Sequence, residues 1–164
     1  PVIRFGILTL SDRSSRGEGE DASGPAVAAL IRAEDWSVIR ELILPDDEAK
    51  VRAALIEWAD SDEFDVILTT GSTGFSPRDI APEATRSMIQ KEAPGLVEAM
   101  RFESLQKTKH AMLSRAVAGI RGRTLIVNLP GSPKGATENL QTILPVLPHA
   151  VQLLHEDPDS EASH

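Results

Sequence analysis

The stretch Ile67-Leu68-Thr69-Thr70-Gly71-Ser72-Thr73-Gly74-Phe75-Ser76-Pro77-Arg78-Asp79 decides the fold of this chain. Residues 64–70 form a short apolar run of the kind that makes a buried strand, and the Gly-Ser-Thr-Gly that follows cannot prolong it. A strand that empties into glycines and hydroxyls is how open α/β sheets build anion sites, because backbone N–H groups there approach a phosphate closely. From this stretch alone the expectation is a turn that holds a phosphorylated ligand, with Asp79 handling a metal or the reacting phosphate.

Outward from that turn, strands and helices alternate. Apolar runs at 3–10, 38–44 and 123–129 read as further strands. Val27, Leu30 and Ile31 give one helix its apolar face, and Val51, Ala54, Leu55 and Trp58 recur at i, i+3, i+4, i+7 in the next, which Asp46 or Asp47 caps. Pro82 opens a helix that Pro94-Gly95 interrupts, and a further helix carries Leu96, Val97, Met100 and Leu105. The Ala-rich segment 111–120 reads as a short helix, and a last helix spans about 134–154 with kinks at Pro145 and Pro148. The sum is one α/β domain over residues 1–154 with a mainly parallel sheet, followed by a polar, acidic, disordered tail at 155–164. Right-handed crossovers then bring the turns after Leu10, Leu44, Thr70 and Leu129 to one rim, where open α/β sheets bind ligands.

Composition narrows the chemistry. With 164 residues, 41% hydrophobic and 26% charged, the chain has the make-up of a globular domain with a real core. No run approaches a membrane span, so no membrane partner is expected. A formal charge of −8 argues against a nucleic-acid surface, although a few local donors can still hold a small anion. Zero cysteines exclude disulfides, thiolate catalysis and cysteine-ligated zinc, and fit a cytoplasmic location. His110, His149, His155 and His164 show no metal-ligand spacing and read as structural or solvated. Neither the Walker lysine signature, GxGxxG nor the GxSxG elbow is present.

The rim offers hydroxyls (Ser11, Ser72, Thr73, Ser76), the amides around Gly71 and Gly74, Asn128, Arg78, and the carboxylates Asp12, Asp46, Asp47 and Asp79. Two carboxylates from different turns beside a phosphate cradle suit Mg²⁺, which takes one or two carboxylates plus phosphate oxygens and water. Each residue also has a plainer role open to it. Asp46, Asp47 and Asp79 stand where helix caps belong, Asn128 can satisfy a turn, and Arg78 can pair with Asp79 or a neighbouring subunit. A segment such as 117–120, near Met112 and Leu113, offers a subunit contact.

Taken together, residues 69–85 resemble the signature of the Mog/MoaB family of molybdenum-cofactor proteins. The Ser11-Asp12-Arg13 turn, the Leu44-Pro45-Asp46 segment, Leu113-Ser114-Arg115 and Asn128-Leu129-Pro130-Gly131-Ser132-Pro133-Lys134 resemble its other blocks in the same order. The resemblance implies a three-layer α/β/α fold of the molybdopterin-binding-domain type and a nucleotidyltransferase. AMP passes from ATP to the phosphate of molybdopterin, with Mg²⁺ and release of pyrophosphate. It implies a homotrimer, in some members a hexamer, and hand-over to a molybdenum-insertion enzyme. Carried over by motif, Asp46 and Asp79 become the catalytic, metal-handling pair. Ser11, Gly71, Ser72, Thr73, Gly74, Ser114, Asn128, Pro130, Gly131, Ser132 and Pro133 line the ligand pocket. Where the family usually has Gly-Gly-Thr-Gly this chain has Ser72. If a positive φ is needed there, serine brings strain, and otherwise its hydroxyl adds a phosphate donor. Ser72 also motivates the alternative of a non-catalytic molybdopterin-binding scaffold.

Overall fold

The structure, a computed structural model, describes residues 2–157. Six strands form one sheet: β1 (Arg4–Leu10), β2 (Ser37–Leu44), β3 (Val66–Thr70), β4 (Lys91–Glu92), β5 (Ala118–Arg121) and β6 (Thr124–Leu129), in the order β2-β1-β3-β6-β5-β4. β2, β1, β3 and β6 run parallel, whereas β5 is antiparallel to both its neighbours. The helices are α1 (Asp12–Ser15), α2 (Ser23–Ala33), α3 (Glu48–Asp60), α4 (Ala81–Arg86), α5 (Pro94–Leu105), α6 (Pro133–Ile143) and α7 (Leu147–Leu154).

The two-residue alternation of the strands makes three layers. Ile3, Phe5 and Ile7 of the first strand and its approach face α2, α5, α6 and α7, while Leu8 and Leu10 face α3 and α4. Each layer holds one of the two tryptophans. Trp36 stacks on Phe5 (5.7 Å between centroids) on the first face, and Trp58 on Phe64 (4.8 Å) on the second. From β1 the chain steps outward to β2 through α2, then back past β1 to β3 through α3. Right-handed crossovers in opposite directions put these helices on opposite faces and open a crevice between the ends of β1 and β3.

The α/β sheet is therefore as expected, and its mainly parallel strands carry their C-termini to one rim. Segment 111–120 differs from expectation. A 3₁₀ turn covers Lys109–Leu113, and the chain then extends into β5. The Val117 N–H donates to Asn128 Oδ1 and the Ala118 carbonyl accepts from Ala93 N, so alanine's helical propensity yields to sheet pairing. Val117 is thereby buried and the 117–120 segment is committed to the sheet, leaving only Met112 and Leu113 of the proposed contact exposed. Pro94 starts α5 at its first turn, where its missing N–H costs nothing. The last helix is two helices, α6 and α7, joined by a 3₁₀ turn at Leu144–Val146 around Pro145. Of the expected tail, residues 158–164 lie outside the described residues. At its start, His155 Nε2 sits 2.9 Å from Asp65 Oδ1.

Candidate functional site

The turn after β3 is built around two left-handed residues. Gly71 has φ 92°, and a Cβ there would come 2.6 Å from the Leu10 carbonyl, so only glycine fits. Ser72 has φ 62°, which confirms the conformational demand where the family's usual glycine is missing. Its hydroxyl is spent within the protein: it accepts the Ile80 N–H at 2.8 Å and reaches the Arg78 carbonyl at 3.4 Å. The Ser72 carbonyl accepts the Ala81 N–H at 3.0 Å, so both oxygens of Ser72 cap the start of α4 from outside. The Ser72 hydroxyl is thus a loop tie and not a spare phosphate donor. The N–H groups of Ser72, Thr73 and Gly74 donate to no group among the described residues, which leaves three open donors on the turn.

Two recesses flank this turn: its first half lines one and its second half the other, while residues 130–133 alternate between them. Gly71, Ser72, Gly131 and Pro133 line a cavity of about 390 Å³ at the crevice between β1 and β3, whereas Thr73, Gly74, Pro130 and Ser132 line one of about 460 Å³ beside α5 and α6. The first also takes Ser11, Glu20, Asp21, Asp46 and Asp79, and no Lys or Arg lines it. The second has an apolar floor of Val97, Met100 and Ala116, with Arg101, Lys107, His110 and Lys134 around it and Ser114 in its wall. Glu138 also lines it and pairs with Lys107 at 2.8 Å, leaving a net positive lining. His110, read from sequence as structural or solvated, therefore faces a candidate ligand space.

The two candidate carboxylates fall in the first recess. Asp47 is the true cap of α3, accepting the Lys50 N–H at 3.1 Å, and this frees Asp46 from that role. Asp46 Oδ2 accepts the Asp12 N–H at 3.2 Å, while Oδ1 is buried and has no hydrogen-bond partner among the described residues. Such an orphaned buried oxygen is costly unless something meets it. Asp79 does not cap α4. Its Oδ2 accepts the Ser76 N–H at 3.0 Å and closes its own loop.

Three expected ligand contacts change meaning. Asn128 is 0% exposed, and its side chain accepts from Val117 N and donates to Thr69 Oγ1 and Thr85 Oγ1, at 2.9–3.0 Å. It reaches neither recess and stitches β3, α4 and the approach to β5 together. Ser132 accepts the Gly135 N–H and caps α6 while lining the second recess. Ser11 likewise caps α1, accepting the Ser14 N–H.

Sequence reasoning passed over Arg115 and the partner of Arg78. Arg115 Nε donates to the Gly74 carbonyl (2.7 Å) and its Nη2 to the Asp79 carbonyl (3.0 Å), and the guanidinium pairs with Glu83 at 2.7 Å. It clamps the 73–83 loop across both recesses, and its hydrogen bonds hold the Glu83 carboxyl below its ordinary range. Arg78 pairs with Asp12, 66 positions away, and not with Asp79. The Leu113-Ser114-Arg115 block was the available signal for Arg115; no local pattern announces Arg78–Asp12.

An open α/β sheet with a donor-bearing turn between an acidic and a cationic recess, at its topological switch point, defines a phosphate- and cofactor-handling α/β domain. Comparison with known proteins makes this specific. Residues 6–149 match the family model described as a probable molybdopterin binding domain, and the chain belongs to that family. It is 46% identical over 157 residues to the molybdenum cofactor synthesis protein cinnamon of Drosophila melanogaster, covering 94% of this chain but 26% of that protein. It is 40% identical over 155 residues to a molybdopterin adenylyltransferase of Helicobacter pylori, covering 93% of this chain and 88% of that one. Among solved structures it is similar to the molybdopterin biosynthesis enzyme MoaB of Thermus thermophilus, with TM-score 0.90, 49% identity, and coverage of 96% and 99%. Among the described residues, no helix is long and apolar enough to cross a membrane.

Proposed function

We propose that this protein is a molybdopterin adenylyltransferase of molybdenum cofactor biosynthesis, acting on ATP and molybdopterin. The observation that carries the reading is the partition of the rim by the 71–74 turn into an acidic and a cationic recess, each lined by part of the same two turns. A reaction between two phosphate-bearing substrates needs two adjoining sites and a shared set of donors where the phosphates meet. The cationic recess, with its apolar floor, suits an anionic pterin. The acidic recess suits the nucleotide only if a cation accompanies it, since Glu20, Asp21, Asp46 and Asp79 would repel a bare polyphosphate.

Mg²⁺ fits this donor set. Asp46 and Asp79 would hold it, the unpartnered Asp46 oxygen being the better-prepared ligand. Among the described residues no three His, Cys, Asp or Glu converge as a metal cluster, so phosphate oxygens and water would complete its shell. Bound there, the ion would neutralise phosphate charge. In the transfer, a phosphate oxygen of molybdopterin attacks the α-phosphorus of ATP. The bond to the α–β bridging oxygen breaks, and pyrophosphate leaves with that electron pair. The chain's part is positioning: the free amides of Ser72, Thr73 and Gly74 would face the phosphates, and Arg115 holds the turn. No protein nucleophile takes part. The scaffold alternative is the less favoured reading: the positive φ of Ser72 keeps the strain that motivated it, but relatives that this chain covers over most of their length are molybdopterin adenylyltransferases.

Incubation with ATP, Mg²⁺ and molybdopterin should give adenylylated molybdopterin and pyrophosphate. Asp79→Asn should abolish the product while keeping the melting temperature, because Asn Oδ1 can still accept the Ser76 N–H. Absence of product from the unmodified chain under every divalent-metal condition would sink the reading. The exposed Phe75, Phe102, Met112 and Leu113 suit assembly as a homotrimer, which sedimentation at three times the chain mass checks. Hand-over of the product to a molybdenum-insertion enzyme belongs to the same reading, and transfer without release to bulk solvent tests it.

A further inference from the structure

Of the carboxylates of the acidic recess, Asp46 and Asp79 come from turns far apart in sequence, yet a chain of polar contacts joins them. Asp12 and Asp46 are reciprocally bonded: the Asp12 N–H donates to Asp46 Oδ2 (3.2 Å) and the Asp46 N–H to Asp12 Oδ1 (2.9 Å). Arg78 closes a fork on Asp12, Nε to Oδ2 at 3.0 Å and Nη2 to Oδ1 at 2.9 Å. Arg78 is followed by Asp79, and its carbonyl is the one Ser72 reaches. Neither Asp12 nor Arg78 lines the recess.

We propose that Asp12 and Arg78 are positioning residues that set the two metal-facing carboxylates at a fixed separation: Asp12 aims the free oxygen of Asp46, and Arg78 ties that pair to the loop bearing Asp79. This rests on the adenylyl-transfer reading and names what holds its metal pair. Three donors already occupy the Asp12 carboxylate, so it is poorly placed to ligate a metal itself. Both Asp46 contacts to Asp12 use one side-chain oxygen and one main-chain N–H, which leaves Oδ1 as the single unpartnered oxygen and fixes where it lies. The bidentate guanidinium supplies orientation as well as charge, which a lysine cannot do. It also offsets the repulsion between the adjoining Asp12 and Asp46 carboxylates.

The test measures binding of the non-hydrolysable α,β-methylene analogue of ATP to the full chain by calorimetry, with and without Mn²⁺, for the unmodified protein, Arg78→Ala, Arg78→Lys and Asp12→Asn. The expected result is that Mn²⁺ strengthens binding to the unmodified chain and that Arg78→Ala and Asp12→Asn lose about 10–100-fold of the Mn²⁺-dependent affinity. Their metal-free affinity stays within about twofold, and Arg78→Lys recovers only part of the loss. Because Arg78 is 64% exposed, melting should shift by no more than about 1–3 °C. Equal losses with and without Mn²⁺ would overturn the inference, since Arg78 would then be reading the phosphates directly; so would no loss at all. If Mn²⁺ does not strengthen binding to the unmodified chain, the transfer reading fails, and the positioning role with it.

Discussion

At the residue scale, Ser72 shows two opposed effects at one position. Its positive φ costs a non-glycine residue about 1 kcal/mol, and its cap on the Ile80 N–H returns about the same. Ser72→Gly relieves the first and forfeits the second, so its melting temperature should stay within about 2 °C of the unmodified chain. Ser72→Ala keeps the backbone strain and loses the bond, and should melt about 2–4 °C lower in calorimetric scans. Ser72→Ala melting level with the unmodified chain, and Ser72→Gly above it, would mean that the hydroxyl contributes nothing. Sequence alone set serine against glycine in ligand terms, as strain or as an added phosphate donor. The structure moves the question to how firmly α4 and the Arg78–Asp79 loop are anchored. It also separates Asp46 from Asp47, which pattern left interchangeable: one caps a helix, the other keeps an oxygen for the site.

At the scale of elements, β1, β3 and β6 were legible because each is a mostly apolar run bounded by breakers, as strands buried on both faces must be. The edge strand β2, with Arg40 and Glu41 inside it, was legible from its β-branched and apolar residues and the Pro45 that ends it. β5 was not, since an Ala-rich run without alternation looks helical until Asn128 supplies the partner for Val117. β4, two residues long, carries no pattern at all. The same locality explains the site. The turns after β1, β2, β3 and β6 could be placed on one rim from topology, but the Asp12–Arg78 fork depends on two loop conformations that no spacing encodes. Asn128 is the element-scale hinge pin, and its removal should loosen β3, α4 and β5 together. Asn128→Ala leaves the Val117 N–H and two threonine hydroxyls buried without it, and should lower unfolding stability by about 3 kcal/mol in urea titrations. A loss below about 1 kcal/mol would show that water replaces the amide.

At the scale of the whole molecule, the sheet has two poles with different tasks. The rim at the strand C-termini carries the recesses; the opposite edge carries Asp65, which accepts from the Arg4 main-chain N–H (2.8 Å) and guanidinium (3.0 Å) and faces His155. Burial pushes the Asp65 carboxyl up, but the Arg4 hydrogen bonds outweigh it and hold the group below its ordinary value. A carboxyl whose folded pKa is depressed stabilises the fold above its unfolded value, near 3.9, and loses that contribution as pH falls through the lower folded value. Asp65→Asn should therefore cost roughly 2 kcal/mol at pH 7, with the difference between variant and unmodified chain shrinking as pH falls below about 4. A difference that stays constant down to pH 2 would assign the loss to packing and not to the ion pair. Because this pole is remote from the rim, the substitution should leave nucleotide binding intact.

The two stacked tryptophans have a use of their own. Each face of the sheet owns one indole, so the chain carries a separate optical reporter for each of its helical layers. A Trp36→Phe chain emits only from the side of α3 and α4, and a Trp58→Phe chain only from the side of α2 and α6. Overlaid, their fluorescence transitions reveal whether the two layers part from the sheet as one event or in succession.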